Sequence, residues 1–110
     1  MANRRAPGKR QSGTGARMRI GVAWYHREDY LRLKAMFTDG ENLPDTFDDW
    51  QKIVRRSGET LRGDGFEIVK AYIDPKVFSE WCRARGMEMN ARARTTYAAE
   101  FARFGHAPPA

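Results

Sequence analysis

The chain has 110 residues, of which 41% are hydrophobic, and its formal net charge is +6. This length suits one domain, and the apolar content, which includes 3 Trp, 4 Tyr and 6 Phe, is enough for a core and excludes a wholly disordered chain. A single cysteine excludes an internal disulfide framework. No apolar run approaches the ~18 residues of a membrane span or forms a signal-peptide core, so the sequence predicts a cytoplasmic protein that does not enter a membrane.

The positive charge is concentrated at the amino terminus. Residues 1–17 contain five basic residues and no acidic residue, so they contribute +5 and leave +1 for the rest of the chain. Their Gly, Pro, Ser and Arg content predicts a disordered basic tail, followed by a single domain over residues 18–105 and a short tail over residues 106–110. Two interpretations of the amino-terminal tail stay open, an arm that contacts nucleic-acid phosphates or an extension without a function.

The first predicted strand spans Arg19 to Tyr25. Successive side chains of a strand point to opposite faces, so the small residues Gly21 and Ala23 lie on the same face, where a helix can pack closely. A helix from Arg27 to Phe37 follows, and it carries two acidic residues in its first turn that complement the helix dipole. A longer helix, from Phe47 to Leu61, completes the first half of the chain.

Terminal signals define that longer helix and the second half of the chain. Thr46 is the predicted N-cap of the longer helix, and Gly58 weakens its last turn by about 1 kcal/mol relative to alanine. A glycine-rich turn then precedes a strand from Phe66 to Ile73. The next helix has the N-cap Asp74 with Pro75 behind it and ends at Gly86, and a last helix from about Ala91 to Phe104 is bounded by Asn90 and Gly105.

The order of these elements, β-α-α-β-α-α, predicts an α/β fold with helices flanking a small sheet. Two strands joined by a crossover of this length are expected to be parallel. Because a lone pair of short strands is marginally stable in water, the sheet needs further support. Three solutions stay open: two chains join their sheet edges in a homodimer, an unassigned strand completes the sheet, or the helices cover it in a monomer. We favour the homodimer, because two-fold association commonly buries a leftover face.

The carboxyl ends of the two predicted strands are the first candidate site. Ligands of parallel sheets tend to bind there, near the positive ends of helix dipoles. His26, Arg27 and Lys76 are placed to receive an anionic ligand, and Asp74 to orient a base. The alternative is that Asp74 only caps its helix and that the basic side chains are solvated.

The second candidate site is a group of arginines on the last two helices. These side chains are expected either to face nucleic acid or an acidic partner together, or to form an ordinary solvated surface. The residues are Arg83, Arg85, Arg92, Arg94 and Arg103.

No catalytic, metal or cofactor site is predicted from the remaining residues. Cys82 shares an apolar helix stripe with Phe78 and is expected to be buried and inert. The two histidines and one cysteine do not have zinc-site spacing, and no serine lies in a nucleophile elbow. The sequence therefore predicts a small non-enzymatic binding or assembly domain with a protein partner. The alternatives are a nucleic-acid-associated protein using the tail and the arginines, and a ligand binder or enzyme at the strand ends.

Overall fold

The computed structural model describes residues 18–109. In this part of the chain four α-helices and two strands follow the predicted order, with short 3-10 helices at Arg27–Asp29 and Gly40–Asn42. The mixed α/β class is therefore confirmed. The strands and helices are β1 (Arg19–Trp24), α1 (Tyr30–Met36), α2 (Phe47–Gly63), β2 (Glu67–Tyr72), α3 (Pro75–Arg85) and α4 (Ala91–Phe104). The predicted basic tail, residues 1–17, lies outside the described residues.

The two strands are parallel, as predicted. They pair in register from Arg19 with Glu67 to Trp24 with Tyr72. The prediction that small side chains on β1 allow close helix packing is also confirmed, because a Cβ added to Gly21 would lie 1.9 Å from the carbonyl oxygen of Ala98 in α4. On the opposite face of the sheet, the ring of Trp24 packs edge-on against Trp50 of α2, with centroids 5.3 Å apart. Helices therefore cover both faces.

Helix α4 runs in the opposite direction to β1. Near its end, the side chain of Ala102 lies against Gly21, the third residue of the strand. Near its beginning, the Arg94 guanidinium lies 4.4 Å from the ring centroid of Phe37, which in turn packs against Tyr25 just beyond the end of β1. The start of α4 is thus at the carboxyl end of the sheet, and its end is at the amino end.

Aromatic side chains from α3 and α4 form the second half of the core. The ring of Tyr97 packs edge-on against Phe78 and Trp81. Its centroid lies 5.4 Å from that of Phe78 and 5.2 Å from that of Trp81. Such T-shaped contacts stabilise a core beyond the area that they bury. Cys82, only 1% exposed, is buried among these residues as predicted, and burial raises the pKa of its thiol.

Local signals set most helix ends. The side chains of Thr46, Asp74 and Asn90 each accept a hydrogen bond from the backbone N–H three residues later. Gly86 and Gly105 end their helices with φ angles of 64° and 77°.

Two predicted helix boundaries were wrong. The segment after β1 starts as a 3-10 turn, in which Asp29 N donates to His26 O at 3.0 Å, so α1 itself begins only at Tyr30. Helix α2 continues through Gly58 to Gly63, two residues past the predicted end. Among the described helices, none has the length and apolar composition needed to cross a membrane.

Candidate functional site

Among residues 18–109, nothing pairs with one hydrogen-bonding edge of β1. Met18 O accepts from Glu67 N at 3.0 Å, and Trp24 O accepts from Ile73 N at 2.9 Å. In a parallel pair the main-chain groups of alternate residues point to opposite sides of a strand, so the even-numbered residues of β1 bond to β2. The outward groups belong to Arg19, Gly21 and Ala23, and within residues 18–109 no other element bonds to them.

A groove of about 220 Å³ lies beside this edge, between β1 and the first half of α4. Three of its lining residues come from the strand and four from the helix, and all but two of the seven are alanine, glycine or valine. Short side chains leave the strand edge accessible from Gly21 to Ala23. The lining residues are Gly21, Val22, Ala23, Ala91, Arg94, Thr95 and Ala98.

Arg94 is the only charged residue in the groove wall, and it is 9% exposed. Its guanidinium donates to both carboxylate oxygens of Asp39, at 2.8 and 3.1 Å. The same carboxylate accepts from Ala91 N at 3.1 Å. The hydrogen bond from Arg94 holds the pKa of Asp39 below its ordinary value, against the opposing effect of burial. This bidentate pair joins the segment after α1 to the start of α4 and so fixes one end of the groove wall.

Tyr25, at the end of β1, is 3% exposed and packs against Trp50 with ring centroids 4.7 Å apart. Burial raises the pKa of its phenol to about 12. The hydroxyl is therefore protonated at neutral pH and is not suited to act as a general base there.

The outer edge of β2 has a different character. By the same alternation its outward main-chain groups belong to Ile68, Lys70 and Tyr72. The Lys70 ammonium lies over the ring of Trp24, 4.6 Å from the centroid. A lysine in the middle of an edge strand opposes pairing with another strand. The two outer edges of the sheet therefore differ in charge. The central residue is the uncharged Gly21 on the β1 edge and Lys70 on the β2 edge.

The predicted ligand residues at the strand ends make separate contacts. The His26 ring stacks on Tyr72 at 4.1 Å, with an angle of 8° between the planes. Arg27 pairs with Asp48 at 2.8 Å, and Asp74 accepts from the backbone N–H of Val77 at 2.9 Å as the cap of α3.

Lys76, the fourth predicted ligand residue, is exposed. Within residues 18–109 no hydrogen bond or ion pair joins His26, Arg27, Asp74 and Lys76 to one another. A shared anion site thus stays a prediction. The stack of His26 on Tyr72 was missed, since it depends on the register between β1 and β2.

Two of the five predicted arginines have carboxylate partners of their own. Arg94 is buried against Asp39, and Arg85 donates to Glu100 at 2.8 Å and to the Pro109 carbonyl at 3.0 Å. Arg83, Arg92 and Arg103 are exposed. Their role in nucleic-acid binding also stays a prediction.

Within the described part of the chain, no three His, Cys, Asp or Glu side chains are arranged to hold a metal ion. Comparisons with protein-family models, with curated proteins and with solved structures find no match to this chain. The sequence favoured pairing through a sheet edge, but it did not predict that β1 supplies this edge or that a groove lies beside it. The alternation of β1 contained the signal, but which residues point outward follows only once the partner strand and register are known.

Proposed function

We propose that this chain is a homotypic assembly domain. The β1 strands of two copies pair antiparallel through their outer edges and form a four-stranded sheet in the order β2-β1-β1-β2. The observation that carries the proposal is the open β1 edge, whose outward groups at Arg19, Gly21 and Ala23 have no partner among residues 18–109. Such an edge is a template for pairing with another strand.

Pairing adds support that the two-stranded sheet lacks. A two-fold axis at Gly21 places Gly21 opposite itself and Arg19 opposite Ala23 of the second copy. Each facing hydrogen-bonded pair exchanges two main-chain bonds, so three pairs add about six bonds. A four-stranded sheet exceeds the marginal size of two strands.

Two features of the side chains support this register. On the face toward α2, Ile20 lies opposite Val22 of the second copy, and apolar cross-strand pairs each stabilise a sheet by roughly 0.2–1 kcal/mol. On the face toward α4, the short side chains of Ala91, Thr95 and Ala98 leave space in the groove for the incoming strand. The edge of β2 is the weaker alternative, because its pairing brings Lys70 close to Lys70 of the second copy.

The test is the mass of the chain in solution, measured by sedimentation velocity over a concentration series. Wild-type protein is expected to sediment as a dimer. Thr95→Arg places a long charged side chain at an exposed position of the groove, and it is expected to shift the protein to monomer. Thr60→Arg, at an exposed position of α2, is the matched control and is expected to stay dimeric.

Circular dichroism checks that both variants are folded. A wild-type chain that stays monomeric at every concentration contradicts the assembly proposal. A dimer that persists in Thr95→Arg contradicts pairing through the β1 edge, because the substitution fills the groove beside it.

A further inference from the structure

Both strands begin, and helices α2 and α4 end, at the amino end of the sheet. β1 and β2 start side by side there, where Met18 O accepts from Glu67 N. Helix α2 ends beside them, since Phe66 N, just before β2, donates to Leu61 O at 3.0 Å. The end of α4 reaches the same place through Ala102.

Exposed arginines lie from the middle of α2 to this end of the sheet. Five arginines stand there together with three acidic residues, Glu59, Asp64 and Glu67. Within residues 18–109 only one of the five has a carboxylate within ion-pair distance, and that exposed pair, Arg19 with Glu67, is 4.0 Å long. The other guanidinium groups are therefore available for another anion. We call the five residues the basic end: Arg19, Arg55, Arg56, Arg62 and Arg103.

The carboxyl end of the sheet has the opposite charge. Apart from the Asp39–Arg94 pair, eight acidic residues there outnumber five basic ones, Arg27, Arg32, Lys34, Lys76 and Arg92. Charge separated along a molecule orients it toward a charged partner before contact. The acidic residues are Glu28, Asp29, Glu41, Asp45, Asp48, Asp49, Asp74 and Glu88.

The sequence adds further positive charge next to the basic end. Residues 1–17 carry +5 and connect to β1 at Met18, beside this end. The five arginines of the basic end and the three acidic residues beside them have a net charge of +2. Residues 1–17 raise this sum to +7, so the rest of the chain carries −1, because the total is +6. The net positive charge of the sequence is thus accounted for by residues 1–17 and the basic end.

We propose that the basic end binds the phosphate backbone of nucleic acid. The exposed surface of α2 suits this partner, because Ser57 stands among Arg55, Arg56 and Arg62 and offers a hydroxyl donor to phosphate oxygens. The planar guanidinium group matches phosphate in a two-bond geometry. A bilayer is a poorer partner for the α2 part of the basic end, since every exposed residue from Arg55 to Arg62 is polar and offers no apolar face for insertion. The exposed apolar residues Met18 and Phe104 lie outside α2, next to Arg19 and Arg103.

The test is fluorescence anisotropy of a labelled DNA duplex titrated with the full chain over a series of salt concentrations. Wild-type protein is expected to bind at low salt and to weaken steeply as salt rises. Reversing two charges in Arg55→Glu/Arg56→Glu is expected to weaken binding roughly tenfold or more. The slope of log affinity against log salt is expected to fall by about 0.9 for each phosphate that the variant no longer neutralises.

The matched control is Arg32→Glu/Lys34→Glu, which reverses two charges on α1, at the opposite end of the sheet. The basic end is supported as the binding surface if this variant keeps its affinity for the duplex and the α2 variant loses it. The proposal is overturned if the control variant loses binding and the α2 variant keeps it, or if neither reversal matters and the tail alone binds. Binding to vesicles of phosphatidylserine but not to the duplex also overturns it.

Circular dichroism and sedimentation velocity check that both double variants keep the fold and the mass of the wild-type chain. The arginines of the basic end on α2 and α4 do not line the β1 groove. A chain that does not bind nucleic acid could therefore still dimerise through β1. A chain that stays monomeric could still bind nucleic acid.

Discussion

Gly21 of β1 and Ala98 of α4 approach each other so closely that a Cβ on Gly21 would lie 1.9 Å from the Ala98 carbonyl oxygen. The obstructing atoms belong to the backbone of a helix, which cannot rotate away as a side chain can. Gly21 therefore sets the distance between α4 and the sheet, and with it the depth of the groove beside the β1 edge.

Gly21→Ala is expected to destabilise the protein by about 3 kcal/mol, at the upper part of the range for overpacked sites, because α4 must move off the sheet. Urea unfolding followed by circular dichroism measures this loss. Gly63→Ala, at the end of α2, has no heavy atom within 4 Å of the added Cβ and serves as the control with little expected change. Equal stability of the two variants would show that α4 adjusts freely.

Gly58→Ala is expected to stabilise the protein by about 0.5–1 kcal/mol. Alanine favours the helical state over glycine, and α2 continues through this position. The nearest heavy atom to the added Cβ is Nη2 of the flexible Arg62 side chain at 3.5 Å, an ordinary contact distance. A higher midpoint in urea with an unchanged slope supports the prediction, whereas a lower midpoint means that Gly58 has a packing role that its surroundings do not reveal.

Cys82 is expected to react slowly with a thiol reagent such as DTNB in the native protein. Its side chain is 1% exposed, and burial raises the pKa of the thiol, so little reactive thiolate is present at neutral pH. Reaction in urea is expected to be fast, since unfolding removes both effects. Equally fast labelling in native buffer would contradict a tightly packed interface between α3 and α4.

Local chemistry made much of this fold predictable. The N-caps Thr46, Asp74 and Asn90 act within three residues of themselves, so their signals are complete in a short stretch of sequence. The parallel pairing followed from the length of the crossover. Small side chains at alternate positions of β1 also correctly indicated the face against which α4 packs.

Contacts between distant residues were not predictable in the same way. Arg94 was grouped with other arginines on its helix, but its partner Asp39 is 55 residues away in the chain. Arg85 similarly pairs with Glu100 in the next helix. Which arginines remain accessible depends on how the helices pack, and helical spacing does not contain that information.

Asp39→Asn tests the pair that joins the segment after α1 to α4. It is expected to destabilise the protein by about 3 kcal/mol, the lower part of the range for removing one partner of a buried pair, because Arg94 is buried and loses the charge that compensates it. Urea unfolding at neutral pH measures the loss. The control is Asp48→Asn, which breaks the exposed pair with Arg27 and is expected to change stability little.

The effect of Asp39→Asn is expected to depend on pH. Arg94 holds the pKa of Asp39 below its ordinary value of 3.8, so the folded state binds this proton less readily than the unfolded state. The stabilisation is fully present above pH 3.8 and is lost as the pH falls through the lower, folded-state pKa. The difference in unfolding free energy between wild type and variant should therefore shrink as the pH drops below 3.8. A difference that stays constant over that acidic range would mean that Asp39 acts by shape and hydrogen bonding, independently of its charge.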